Sequence, residues 1–311
     1  MGTGKGYGKT ILFGEHFVVY GLPSIVSALG AYTTADVKVV KGNGWTVKDQ
    51  RPATPGYKEQ KHIEAMQSIA NVVNYLKVDI KNQRLEISFA GDLIAASGVG
   101  ASAAQCTSLA RALSETFNLS LDDEKINEAA YEGEKAYHGT PSGIDNTAST
   151  YGGLTWFVRN LGAGKNTMER LHSPRKMLIV IANSGITAST TEVVADVRRL
   201  REEDPEKIEK IFGEYRKLAE AARKALLEGD TATIGNLMNQ NHEMLQQIKV
   251  SGEVNDELVE IALENGAIGA KLTGTGRGGL VIGLAENEDI QEKIAHAIEE
   301  KGYSAWRTTV G

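Results

Sequence analysis

Two carboxylates, Glu134 and Asp145, flank the turn-rich run His138-Gly-Thr-Pro-Ser-Gly-Ile144. Such a turn can bring both onto one site. One carboxylate could then hold Mg²⁺ while the other meets a hydroxyl nucleophile, the division of labour that phosphoryl transfer requires. Plainer readings stand beside this one: Asp145 as the cap of a short helix, Glu134 as a solvated helix residue. A serine-hydrolase elbow is excluded, because Gly139-Thr-Pro-Ser-Gly143 does not fit G-x-S-x-G.

Three glycine clusters surround this pair. The first, Gly2-Thr-Gly-Lys-Gly-Tyr-Gly-Lys9-Thr10, imitates a Walker A loop, but Thr3 stands where its first glycine belongs and a β-like Ile11-Leu-Phe follows. A phosphate loop of that class opens a helix, so the reading is rejected. A flexible tail is the plain alternative for residues 1–5, whereas Lys9 leads straight into Ile11-Leu-Phe-Gly-Glu15-His16. The second cluster, Ser97-Gly-Val-Gly-Ala-Ser102-Ala-Ala104, fits G-x-G-x-x-A, a weak dinucleotide pattern taken alone. A glycine turn that faces a phosphate at a helix N-terminus is the more economical reading, with the Ser102 hydroxyl beside that phosphate. The third, Thr273-Gly-Thr-Gly-Arg277-Gly-Gly279, joins two predicted strands and is longer than a hairpin needs. An anion-binding nest and a plain turn are equal readings there.

The elements that must position these clusters follow from periodicity and caps. Strands are expected over 10–20, 33–40, 45–48 and 84–89, with one amphipathic helix over 58–77. Helices are then expected over 103–117, over 121–137 behind a Ser120/Asp123 capping box, and over 145–151, followed by a strand over 154–158. The polar stretch 160–175 reads as a domain boundary. Beyond it come a strand at 177–182 and helices at 189–203, 206–228, 231–248, 255–265 and 288–301. Asp204, Pro205 and Gly229 punctuate the second of these helices. Strands at 267–272, 279–284 and 304–309 complete a chain that is α+β in both halves, without the alternation of a doubly wound sheet.

The chain has 311 residues, with 34 glycines and only six prolines. An average chain would carry about 22 glycines, so the surplus is a dozen without the proline of collagen or of Pro/Gly-rich disorder. Net charge is −6 and basic residues are not pooled, which argues against nucleic-acid binding. The single cysteine, Cys106, excludes an internal disulfide and reads as a buried packing thiol. No two of the six histidines have a metal-site spacing such as HExxH. No apolar run is long enough to span a bilayer and no leader peptide is seen, so a cytoplasmic location without membrane association is expected.

Taken together and in this order, the clusters resemble the GHMP kinases, the small-molecule kinases named after galactose, homoserine, mevalonate and phosphomevalonate. The segments that carry the resemblance are Gly8–Gly21, His138–Gly153 and Lys271–Gly279, so it covers nearly the whole chain. It is closest to members that phosphorylate mevalonate, and Asp49-Gln-Arg-Pro-Ala-Thr-Pro-Gly-Tyr57 is similar to one subgroup of these. The resemblance implies a two-domain fold: an N-terminal mixed α/β nucleotide-binding domain (1–165) and a C-terminal ferredoxin-like α+β domain (166–311). It implies ATP and Mg²⁺ as cofactors and the 5-hydroxyl of mevalonate as acceptor, with phosphomevalonate, the mevalonate 3-hydroxyl or a sugar as alternatives. Asp145 aligns with the catalytic aspartate, and Lys9 with the lysine that polarises the hydroxyl. Ser102 and Glu134 align with the metal ligands. Gly98, Val99, Gly100, Ala101, Ser102, Ala103 and Ala104 align with the phosphate loop, and Glu15, His16 and Thr190 with the region that holds the acceptor. A homodimer is common in the family.

This chain departs from the family pattern in a few places. Ala101 replaces the first serine of the second motif, Tyr7 replaces a proline, and Arg277 replaces a glycine in the third motif. Arg277 could therefore add a phosphate contact or reshape the acceptor pocket. A phosphorylated acceptor would need extra cations, for which Arg51 and Arg277 are the candidates.

Overall fold

The computed structural model describes residues 1–95, 98–186 and 188–311. Ser97 of the second glycine cluster and Thr187 lie outside the described residues. The chain runs β1 (Gly2–Phe13), a 3-10 turn (Phe17–Tyr20), β2 (Pro23–Val40), β3 (Gly44–Asp49), α1 (Tyr57–Gln60), α2 (His62–Tyr75) and β4 (Arg84–Gly91). Then come α3 (Ala101–Thr116), α4 (Asp123–His138), α5 (Ile144–Tyr151), β5 (Leu154–Val158), β6 (Thr167–Leu171) and β7 (Met177–Asn183). The remainder is α6 (Thr190–Glu203), α7 (Pro205–Glu228), α8 (Thr231–Gln247), α9 (Glu253–Glu264), β8 (Gly269–Thr273), β9 (Leu280–Ala285), α10 (Glu288–Glu300) and β10 (Ser304–Val310). These elements form two compact units, one of residues 1–9 and 28–152, the other of residues 10–27 and 153–311.

In the first unit, Thr33–Val40 of β2 pairs antiparallel with β4, and β4 pairs parallel with β3. Alternate residues of β4, Leu85, Ile87 and Phe89, face the core, where Val72 of α2, Leu109 of α3 and Ala130 of α4 meet them. Cys106 is buried in the same core as a packing thiol, and burial pushes its pKa up.

Residues 2–5 are not a tail: they belong to β1. The physical reason lies in the alternation of glycines. A Cβ on Gly4 would lie 2.0 Å from the Ser108 carbonyl oxygen, and one on Gly6 2.3 Å from that of Ala104, both in α3. Only a strand with no side chains on that face can lie directly on the helix backbone. The single strand expected over 10–20 is also corrected. β1 stops at Phe13, and the 3-10 turn buries Phe17 face to face with Tyr215, ring centroids 3.8 Å apart. That packing overrides the strand preference of Val18 and Val19. The capping box is corrected too. Asp122 caps α4 by accepting from the Lys125 N–H at 2.9 Å, while Ser120 sits at φ 50° in the preceding turn.

In the second unit, Pro23–Ser27 of β2 pairs antiparallel with β5, and β5 with β6, a strand inside the stretch read as polar linker. The other sheet has the order β10-β7-β9-β8, antiparallel throughout. With α10 between β9 and β10, and helices between β7 and β8, this is the ferredoxin-like arrangement that was expected. The caps of α7 behave as read: Asp204 accepts from the Lys207 N–H at 3.2 Å and Gly229 takes φ 70°. No helix among the described residues is long and apolar enough to cross a membrane.

Candidate active site

Lys9 ends the first segment of the first unit. Its N–H donates to the Val99 carbonyl at 2.8 Å, so strand and glycine loop are joined there. Gly100 occupies the N-cap of α3 at φ 70°, and a Cβ on it would lie 2.7 Å from the Lys9 Cγ. Gly98 to Ala104 therefore form the turn and first helical residues of α3. No side chain caps that helix, so its first N–H groups are available to an anion.

The Lys9 side chain is buried, and its Nζ lies 3.1 Å from the Asp145 carboxylate. Gly143, not Asp145, takes the N-cap of α5, so the capping role for Asp145 is set aside. Glu134 is no solvated residue either; it is 1% exposed in the last turn of α4. Neither of its carboxylate oxygens accepts a hydrogen bond. Burial first, then the charge of Asp145, pushes its pKa up to about 8, while Ser102 and Lys9 pull the other way. One ligand atom each from Glu134, His138 and Asp145 lies within 4.8 Å of the others. Buried carboxylate oxygens without a hydrogen bond are costly, and a cation would satisfy them better than the His138 Nε2 that lies 3.7 Å from one of them. A search for paired histidines misses His138, which stands alone in sequence one helical turn beyond Glu134.

In the second unit, Glu15, His16 and Thr190 gather with residues of the last glycine cluster and its flanking strand β8. Glu15 forms a fully buried ion pair with Lys271 at 2.5 Å. His16 Nε2 donates to the Thr275 carbonyl at 2.7 Å, which fixes the neutral tautomer with the proton on Nε2. Burial lowers the His16 pKa to about 4. Thr190, the first residue of α6, shares a 2.8 Å hydrogen bond between its hydroxyl and that of Thr275. The sequence named these three residues together, but the Lys271 partnership was not visible in it.

The two candidate cations for a phosphorylated acceptor are engaged elsewhere. Arg51 grips Asp49 at 2.7 Å, Gln105 at 2.8 Å and the Ala101 carbonyl at 3.2 Å. Arg277 donates to Asp196 at 2.5 Å and to the Lys249 carbonyl at 3.1 Å. Beside Arg51 lies a cavity of about 150 Å³ lined by Tyr57, Ile69, Gln105 and Tyr137 among others. The motifs gave no sign of it.

Residues 65–153 match the GHMP kinases N terminal domain, and residues 222–304 match the GHMP kinases C terminal region. A mevalonate kinase of Pyrococcus horikoshii is 34% identical over 94% of this chain and 91% of its own length. The chain belongs to the GHMP kinase family. A second relative, a mevalonate kinase of Thermococcus sibiricus, is 31% identical over the same shares of the two proteins. Among solved structures, this GHMP kinase is similar to L. major mevalonate kinase in complex with R-mevalonate. The TM-score is 0.96 at 41% identity, covering 100% of this chain and 96% of that one. As a GHMP kinase it is an ATP-dependent phosphotransferase.

Proposed function

We propose that this GHMP kinase transfers the γ-phosphoryl group of ATP to the 5-hydroxyl of mevalonate. The observation that carries the chemistry is the Lys9–Asp145 contact beside the buried carboxylate of Glu134, which has His138 Nε2 3.7 Å from one of its oxygens. The choice of acceptor rests on the likeness to the mevalonate-bound L. major enzyme.

Asp145 takes the hydroxyl proton as the acceptor oxygen bonds to the γ-phosphorus. The bond from that phosphorus to the β–γ bridging oxygen breaks, and ADP leaves. Lys9 holds its positive charge next to the reacting oxygens, where charge develops. The N–H groups at the start of α3 receive the phosphates. Ser102 and Glu134 would hold Mg²⁺, which would neutralise phosphate charge. We assign the adenine to the cavity lined by Tyr57, Ile69 and Tyr137, because Gln105 of α3 and Arg51 border it next to the phosphate turn. Glu15, His16 and Thr190 are assigned to the acceptor. A cytoplasmic setting belongs to this reading, in keeping with the single buried cysteine.

A phosphorylated acceptor is disfavoured, because both arginines that would bind its phosphate already hold protein partners. The test is an acceptor panel with ATP and Mg²⁺: mevalonate, phosphomevalonate and sugars. Mevalonate alone is expected to support turnover, and activity with only a sugar would refute the assignment. Asp145→Ala should retain ATP binding and lose turnover by roughly 10²–10⁴-fold. Unchanged turnover in that variant removes Asp145 from the chemistry.

A further inference from the structure

We propose that Arg277 is a positioning residue for the acceptor: it pins the Thr273–Gly279 loop to α6 and so fixes Thr275, which holds both His16 and Thr190. The inference rests on the reading of His16 and Thr190 as acceptor contacts.

Arg277 sits at φ 51°, a left-handed backbone that strains an L side chain and suits glycine. Its side chain is therefore held in a place where glycine would be easier. From there it reaches out of the loop, Nη1 to Asp196 at 2.5 Å and Nε to the Lys249 carbonyl at 3.1 Å. The hydrogen bond from Arg277, with the charge of Arg199 beside it, holds the Asp196 carboxyl below its ordinary range. The same loop touches α6 a second time, through the 2.8 Å contact of the Thr275 and Thr190 hydroxyls. Loop and helix are thus joined at two points, the first residue of α6 and a point nearly two turns on. Thr275 also presents its carbonyl to His16.

The far side of the loop is held independently. The Gly278 N–H donates to Asn255 Oδ1 at 2.7 Å, and Asn255 Nδ2 donates to the Gly278 carbonyl at 2.8 Å. Loss of the Arg277 side chain therefore loosens the α6 attachment while the loop keeps its anchor on α9. That separation distinguishes the pin from a direct phosphate contact, which would act on the nucleotide.

The experiment compares wild type, Arg277→Gly, Arg277→Lys, Asp196→Asn and the Gly/Asn double variant. It reads kcat, KM for mevalonate, KM for ATP, and the mevalonate Kd by calorimetry. Arg277→Gly should raise the mevalonate KM and Kd about tenfold, the worth of one charged hydrogen bond, with the ATP KM unchanged. Asp196→Asn should do the same, and the double variant should be no worse than either single one. Arg277→Lys keeps a cation without the fork, so it should fall between; it also serves should the glycine variant not fold. A rise confined to the ATP KM overturns the pin in favour of a nucleotide contact. Variants identical to wild type overturn it outright. A wild-type protein that turns over no mevalonate overturns the acceptor reading, and the pin with it.

Discussion

His16 shows how one residue's charge state depends on its setting. Its Nε2–H donates to a carbonyl and burial lowers its pKa from 6.5 to about 4, so the folded protein keeps it neutral near pH 7. The unfolded chain takes up that proton first as pH falls. The stability contributed is whole above about 6.5, is lost as pH drops through 6.5 to 4, and changes no further below. The loss amounts to about 3 kcal/mol. His242 adds to it in the same direction: burial lowers its pKa, and its Nδ1 accepts from the Leu272 N–H at 3.3 Å. Urea unfolding across pH 4 to 7 should therefore show a slope that sets this loss toward acid against the opposite contribution of Glu134, whose raised pKa of about 8 lets the folded state take up its proton first. His16→Gln, which keeps a donor but does not titrate, should shift that slope, losing less stability toward acid than wild type does. An unchanged slope would mean that His16 is not the group responsible. Residue type and spacing were enough to single out Glu134 and Asp145, while Lys9 and His16 came with the resemblance to the GHMP kinases. Their charge states were not legible, because desolvation depends on neighbours far away in sequence. The engagement of Arg277 with Asp196 was hidden for the same reason.

At the scale of elements, legibility followed the strength of the local signal. α7 announced itself through Asp204, Pro205 and Gly229, and its ends fall where those residues stand. Around β1 the signal is local in the wrong way. Alternating glycines look like a loop because their purpose, the close approach of a strand to α3, is visible only when α3 is in place. This yields a direct prediction. Gly4→Ala puts a methyl 2.0 Å from the backbone oxygen of Ser108, and neither backbone can move without losing its partners. The variant should lose about 1–3 kcal/mol of stability, as overpacked cores do. Tyr7→Ala, in the same strand on a half-buried face, should lose less. A flexible tail would show no difference at Gly4, so denaturant midpoints of the two variants separate the accounts. The Gly98–Gly100 turn, to which we assign the phosphates, is hydrogen-bonded to Lys9 of this strand, so Gly4→Ala should also weaken ATP binding.

The whole molecule does not divide at one point of the sequence, because residues 10–27 belong with residues 153–311. No linker composition could reveal this, since it depends on pairing across more than a hundred residues. Three contacts show what the early segment supplies to its unit. Pro23–Ser27 gives β5 a neighbouring strand, Tyr215 stacks on Phe17 and donates to the Pro23 carbonyl at 2.8 Å, and Glu15 neutralises Lys271. The last weighs most. Removing one partner of a buried ion pair leaves an uncompensated charge, at a cost of about 3–5 kcal/mol, comparable with much of a domain's stability. A fragment of residues 153–311 alone should therefore show no cooperative unfolding transition. Ser27 lies opposite Leu154 in the antiparallel ladder, so a short glycine turn can join residue 27 directly to residue 153. The chain 10–27–turn–153–311 should regain a cooperative transition by circular dichroism, and Glu15→Gln within it should weaken that transition. A bare 153–311 fragment that unfolds cooperatively, at the midpoint of the rejoined one, would show that the early segment is not part of this unit's stability.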